Sequence, residues 1–297
     1  RERHEKMISI IITAFKESKT IQRAIMAIAE QNLPRHEIIV IAPDKETLDE
    51  AEKLRNKCKN LKILQDGGDG KPAALNLAVS KAKGEILILT DGDVYVGAES
   101  IVHLIGFFKG NKIGAVSGKP VSTNPRDNMY GFWSSILTKT ADEIRKKSSF
   151  GGRRFFCSGY LFAIRKELFP LLPKELLSED GYISNYVYSK GYSIAYSEKS
   201  EVHVKYPNNF SDWIKQKKRS AGGYNQIKKL TGADMRSFTW ESRGAFGMFK
   251  YLSNLREIMW LMALFLSRVY LWLVIFKDIN IKKKSQKEIW KRVESTK

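Results

Sequence analysis

The sequence predicts an α/β fold: a mainly parallel sheet with helices on both faces. Two observations carry that expectation. From Met7 to about Ser117, short apolar runs alternate with amphipathic segments. The runs are apolar throughout, not at every second residue, which marks strands buried on both faces of a parallel sheet.

The elements follow in order. ISIIIT (Ile8–Thr13) is a buried strand. In ESKTIQRAIMAIAEQ, Ser18 is placed to cap a helix whose Ile21, Ala24, Ile25 and Ile28 share one face. EIIVIA (Glu37–Ala42) is the second strand and ETLDEAEKLRNKC the second helix. LKILQ is the third strand, and PAALNLAVSKA is a helix with Pro72 in its first turn, where proline is favoured. EILILT is the fourth strand. Ligands of such sheets bind beyond the carboxyl ends of the strands. That rule sets Thr13–Glu17, Ala42–Asp44, Gly67–Lys71 and Asp91–Asp93 along one rim.

The pattern from about Asn124 to Tyr206 is less regular. FFCSGYLFAIRKELF reads as a strand entering a helix, LLSEDGYISNYVYSKGY as a helix after an acidic start, and SIAYS as a strand. Beyond Pro207, NNFSDWIKQKKRSAGGYNQIKKL is an amphipathic basic helix. Then Ile258–Phe276 runs for nineteen residues with only Ser267 and Arg268 polar, close to the roughly 20 a spanning helix needs. Trp260, Tyr270 and Trp272 suit an interface. Arg268 near the middle, and lysines at Lys277 and Lys282–Lys284, weigh against a simple span and toward a helix lying in the interface or packed on a partner. A buried helix of a soluble core is the remaining alternative.

The charge is +19, from 51 Lys and Arg against 32 Asp and Glu. Such a surplus suits anionic partners: nucleic acid, anionic lipid or phosphate-bearing substrates. It is scattered over small clusters and forms no aromatic-interleaved stripe, so nucleic acid is not the expected partner. Cys58 and Cys157 are too few for a disulfide framework or a zinc site. The charged start RERHEKM leads straight into a strand, so no secretory signal is expected. A cytosol-facing location fits.

Four stretches can carry chemistry. Asp91 and Asp93, one residue apart at a strand end, can share a divalent cation with substrate phosphates, although an isolated Asp-x-Asp is more often a turn. DGGDGK sets Gly67, Gly68 and Gly70 before Lys71 at a helix start, a natural anion site, without Walker A spacing. Glu179 and Asp180 open a helix, where acids stabilise the terminus and where a carboxylate can also serve as general base. Gln216 and Arg219 lie on the basic helix. His4, His36, His103 and His203 show no metal spacing.

Taken in order, ISIIITAFKE, GKPAALNLA, TDGD, CSGYLFAIRKELF, SED and P…W..QKKR..GG resemble the family 2 glycosyltransferases, inverting enzymes of the GT-A fold. The resemblance runs from about Met7 to Gly223 and is nearest the membrane-associated branch of cellulose, chitin and hyaluronan synthases. It implies that Asp93, with Asp91, holds Mn²⁺ or Mg²⁺ and the sugar-nucleotide diphosphate. Asp180 would deprotonate the acceptor hydroxyl, with Glu179 and Gly159 on the acceptor side. Thr13, Ala14 and Glu17 would border the nucleotide and Lys71 its base or ribose. Gln216 and Arg219 match the first and fourth positions of the Gln-x-x-Arg-Trp motif. Ser220 replaces that motif's tryptophan, which implies single-sugar transfer. APDK stands for the usual DDGS, so Asp44, the counterpart of the base-recognising aspartate, falls one position late.

The expected organisation is a catalytic domain at residues 1–206, an amphipathic basic helical segment at 207–250, and a hydrophobic membrane-associating or oligomerising helix with a basic tail at 251–297. The expected function is metal-dependent transfer from a nucleotide-sugar donor, UDP-sugar favoured, to a hydroxyl of a glycan or lipid-linked acceptor at the cytosolic face of a membrane. A polyprenyl- or dolichyl-phosphate sugar synthase is the near alternative, and a nucleic-acid-binding protein the alternative from another class.

Overall fold

In a computed structural model, residues 6–232, 246–278, 293, 295 and 296 are described. His4 and the Lys282–Lys284 cluster lie outside the described residues. The strands are β1 (Ile8–Thr13), β2 (His36–Ala42), β3 (Leu61–Gln65), β4 (Ile86–Asp91), β5 (Tyr95–Val96), β6 (Ile113–Ser122), β7 (Leu161–Arg165) and β8 (Ser193–Val204). They form one sheet in the order β3-β2-β1-β4-β7-β6-β8-β5. The four amino-terminal strands of that order pair in parallel. β7 runs antiparallel between β4 and β6, while β6 and β8 are parallel to each other. The sheet is therefore mixed at its second half.

Full apolarity of the strands is explained by two layers of helices. Ile10 and Ile12 of β1 pack with Ile21, Ile25 and Ile28 of α1 (Ile21–Ala29) on one face. On the other, Ile11 packs with Ala74, Leu75 and Ala78 of α3 (Lys71–Lys81) and with Ile183 and Val187 of α6 (Glu179–Ser189). Each fully buried isoleucine contributes about 2 kcal/mol of transfer free energy. A one-residue slip would swap the two faces, but both are apolar.

Several expectations are corrected. Helix α1 starts at Ile21, not near Ser18: Ser18–Thr20 form a turn in which Thr20 N donates to Glu17 O, and Thr20 stands at the cap position. Helix α2 (Lys45–Glu52) is shorter than ETLDEAEKLRNKC, giving way to turns before Cys58. β7 leads into a short 3₁₀ turn at Lys166–Leu168, not a helix. A short α4 (Ser100–Ile105) and the 22-residue α5 (Met129–Phe150) stand where no helix was anticipated.

A third apolar cluster joins α5, α7 (Phe210–Thr231) and α8 (Leu255–Phe276) through Phe132, Trp133, Ile136, Trp213, Leu261, Leu264, Leu271 and Ile275. Polar bonds fix α8 in place. Asn254 caps it by accepting from Glu257 N, and the Glu257 carboxylate takes Ser253 N and both Nε and Nη2 of Arg126. Trp133 Nε1 donates to Trp260 O at 2.7 Å. The opposite side of α8 exposes Met259, Met262, Leu266, Val269, Leu273 and Phe276.

Candidate active site

The site starts at the end of β4. Gly92 N donates to Thr13 O at 2.9 Å, and Thr13 Oγ1 donates to Asp91 Oδ1 at 2.9 Å, so β1 fastens the Asp-Gly-Asp turn. The glycine is required by close approach. A Cβ there would stand 2.4 Å from Glu17 Oε2 and 2.9 Å from Ala14 Cβ. Thr13, Ala14 and Glu17 thus fold directly over the turn, as expected from the rim rule.

Asp44 sits on the same rim with its carboxylate already used. Oδ1 takes Thr47 N at 3.0 Å and Thr47 Oγ1, capping α2, and Oδ2 takes Lys16 N at 2.7 Å. Burial would raise its pKa, but these hydrogen bonds outweigh burial and lower it. Lys16 has a φ of 55°, an unfavourable conformation for a residue with a Cβ. In this arrangement Asp44 shapes the β1–α1 loop.

Lys71 opens α3 after Gly70, whose φ of 96° suits only glycine. Its Nζ lies 2.7 Å from Asp91 Oδ1 and 2.7 Å from Glu179 Oε1. Burial opposes the charge, yet the two carboxylates prevail and push the ammonium's pKa far up. One cation therefore ties the β4 turn to the start of α6.

Next to it stands Asp180. Its Oδ1 accepts from Ser178 Oγ at 2.6 Å and Gly181 N at 2.9 Å. Its Oδ2 lies against Gly159, where an added Cβ would come within 3.2 Å. Burial, then the charge of Glu179, raise the carboxyl's pKa against those hydrogen bonds and the pull of Lys71. A raised pKa with one oxygen toward a glycine-floored space is what a general base requires.

Helix α7 closes the far side. Gln216 is buried and its Nε2 donates to Tyr160 Oη at 3.3 Å. Burial pushes the Tyr160 hydroxyl up; the charge of Arg219 works against that shift, while Asp93, then Asp91, add to it. Those interactions put Tyr160 in the midst of Asp91, Asp93, Lys71 and Arg219. Its ring meets Tyr206 edge-on at 5.9 Å. Sequence reasoning missed Tyr160, although it follows Gly159 in the CSGY segment. It also missed Gln226, which belongs to no motif.

Fit to a cation can be tested on the donor set. Asp91 Oδ1 already serves Thr13 and Lys71. Among the described residues, no three His, Cys, Asp or Glu side chains gather as a metal cage. Asp93, with the second Asp91 oxygen, suits an ion whose remaining ligands come from a diphosphate and water, the usual arrangement for Mg²⁺ with phosphate substrates. Lys71, Arg219 and the glycine-led start of α3 supply positive potential beside it.

Known proteins resemble this chain in sequence and in fold. Residues 4–223 match the family described as "Glycosyltransferase like family 2". The chain is 31% identical over 144 residues to the poly(ribitol-phosphate) beta-N-acetylglucosaminyltransferase TarS of Staphylococcus aureus, covering 46% of this chain and 24% of that protein. It is 24% identical over 227 residues to the poly-beta-1,6-N-acetyl-D-glucosamine synthase of Staphylococcus epidermidis, covering 74% and 55%. Matched regions are thus about half or less of those relatives' length. The mannosyltransferase PcManGT from Pyrobaculum calidifontis, solved with GDP-Man and Mn²⁺, superposes with a TM-score of 0.62 at 17% identity over 95% of this chain and 89% of that one. That likeness is one of fold, the GT-A fold. With the family match spanning residues 4–223 of 297, the chain belongs to the family 2 glycosyltransferases.

Proposed function

We propose that the chain is an inverting glycosyltransferase that moves a sugar from a nucleotide-diphosphate donor, UDP-sugar favoured, to a hydroxyl of a glycan or glycolipid acceptor. The observation that carries this reading is the Lys71 bridge. It joins the turn after β4, at Asp91, to Glu179, the residue next to the proposed base Asp180. The names of the two curated relatives, both transferring or polymerising N-acetylglucosamine, support a hydroxyl acceptor over a lipid phosphate.

In the proposed reaction the acceptor oxygen attacks the anomeric carbon in line with the departing diphosphate. Its proton passes to Asp180 Oδ2, and the bond from the anomeric carbon to the diphosphate oxygen breaks, releasing the nucleoside diphosphate. A divalent cation, Mn²⁺ or Mg²⁺, held by Asp93 with Asp91 would neutralise charge on the diphosphate. Lys71 and Arg219 add fixed positive charge there, Thr13, Ala14 and Glu17 border the nucleotide, and Gln216 orients Tyr160 toward the same space. Ser220 is exposed where the family motif has tryptophan, in keeping with single-sugar transfer.

Residues 1–206 would act as the catalytic domain, with α7 completing the site. Helix α8 would bring it to a membrane. Among the described residues it is the one helix long and apolar enough to cross a bilayer. Because its inner face is packed on α5 and α7, we place it along the surface, with the site toward the cytoplasm.

The test is a panel of UDP- and GDP-sugars with Mn²⁺ or Mg²⁺, read by thermal shift and by slow nucleotide release. A UDP-sugar is expected to stabilise the chain in the presence of metal. Stabilisation by no sugar nucleotide would remove the reading.

A further inference from the structure

Helix α7 carries Gln216, Arg219, Gly223 and Gln226 at spacings of three, four and three, so all four lie along one face. Gln216 donates to Tyr160 Oη, and the same hydroxyl feels the charges of Arg219, Asp93 and Asp91. Gly223 and Gln226 meet the segment that delivers Asp180. Gln226 Oε1 accepts from Leu177 N at 2.9 Å, and Gln226 Nε2 donates to Glu175 O at 3.0 Å. A Cβ on Gly223 would lie 2.6 Å from Ser178 Cβ, so the glycine lets the helix seat directly on that segment.

The segment between Pro170 and Ser178 has no helix or strand of its own. Two side-chain amides hold it, each through a donor and an acceptor. Asn76 of α3 pairs with the backbone of Leu172, and Gln226 pairs with Glu175 and Leu177. Leu177 is three residues before Asp180. Gln226 is itself buried, and its carboxamide bonds to backbone at Glu175 and Leu177.

We propose that Gln226 is a positioning residue: its carboxamide sets the register between the diphosphate-facing turns of α7 and the Asp180 carboxylate. The proposal rests on the reading of Asp180 as the base. It makes α7 a single rod with the donor subsite on its early turns and the hold on the base on its later ones.

The experiment uses the full chain with UDP-N-acetylglucosamine and Mn²⁺, following UDP release to water, UDP thermal shift, and amide hydrogen exchange across residues 175–181. Gln226→Leu is expected to lower kcat about tenfold, the loss of two buried hydrogen bonds expressed as misplacement of the base. Donor KM and the UDP thermal shift stay at wild-type values, while exchange at Leu177–Gly181 rises. Gln226→Glu keeps the acceptor for Leu177 N and loses less. Adding Gln226→Leu to Asp180→Asn costs nothing further, since both act through one carboxylate.

Wild-type kcat in Gln226→Leu overturns the proposal, as does an additive loss in the double variant or a parallel loss of kcat, KM and stability. Those outcomes leave the transfer reading standing. A wild-type chain that releases nucleotide from no sugar donor overturns both.

Discussion

At the scale of single residues, Asp180 shows how function is set against stability. Its carboxyl has a raised pKa because burial and Glu179 disfavour the ionised form. A carboxyl with a higher pKa folded than unfolded stabilises the fold at low pH, and that contribution is lost as pH rises through the folded pKa. The ionised form of Asp180 is therefore a cost to the fold. Asp180→Asn is expected to raise the melting temperature at pH 7 while transfer falls by two orders of magnitude or more, roughly the worth of a general base. In the wild type, kcat should climb with pH through a value above the ordinary aspartate range, and the variant should lose that limb. Melting curves and a pH–rate profile decide it. Asp91, Asp93, Lys71, Glu179 and Asp180 could be singled out in the sequence because they follow a buried strand or open a helix, and Gln216 because it matches a family motif. The structure brings Asp91, Lys71 and Glu179 into contact and sets Gln216 on Tyr160. Tyr160 and Gln226 could not be singled out: a tyrosine beside a strand and a glutamine in a polar helix are ordinary until the chain brings them to the site.

At the scale of elements, the strand ends opposite the site carry a separate polar knot. Glu37 on β2 is buried and accepts from Ser9 Oγ at 2.6 Å and Lys83 N at 2.5 Å, and pairs with Lys62. Ser9 in turn accepts from Gly84 N. Burial would raise the Glu37 pKa, but its partners lower it. The stability it confers is present above the ordinary glutamate range and lost as pH falls through its depressed pKa. Glu37→Ala strands three donors and should cost about 2–4 kcal/mol, read from denaturant midpoints, with donor KM unchanged because the knot is at the strand ends away from the candidate site. Strands β1 to β4 were legible because continuous apolar runs have few other uses. The reversal of β7 was not, since an apolar run buried on both faces carries no sign of its direction. Nor was α5, whose buried large side chains Phe132, Trp133 and Ile136 crowd its first turns while most of the rest is polar.

At the scale of the whole molecule, α8 separates two roles by face. Leu261, Leu264, Leu271 and Ile275 belong to the core with α5 and α7, and the row Met259, Met262, Leu266, Val269, Leu273, Phe276 faces out. Those exposed positions advance by three and four residues, a continuous stripe. Serine at Met262, Leu266 and Leu273 together should abolish flotation with anionic vesicles and leave the UDP thermal shift unchanged. Retained flotation would move the membrane contact elsewhere. Length and apolarity of this segment were readable from sequence; which side the protein keeps for itself required the packed neighbours.

The ammonium between Asp91 and Glu179 has a further consequence for the molecule at rest. Lys71 supplies the counter-charge that lets two carboxylates from separate elements, Asp91 at the end of β4 and Glu179 at the start of α6, pack on either side of it without mutual repulsion.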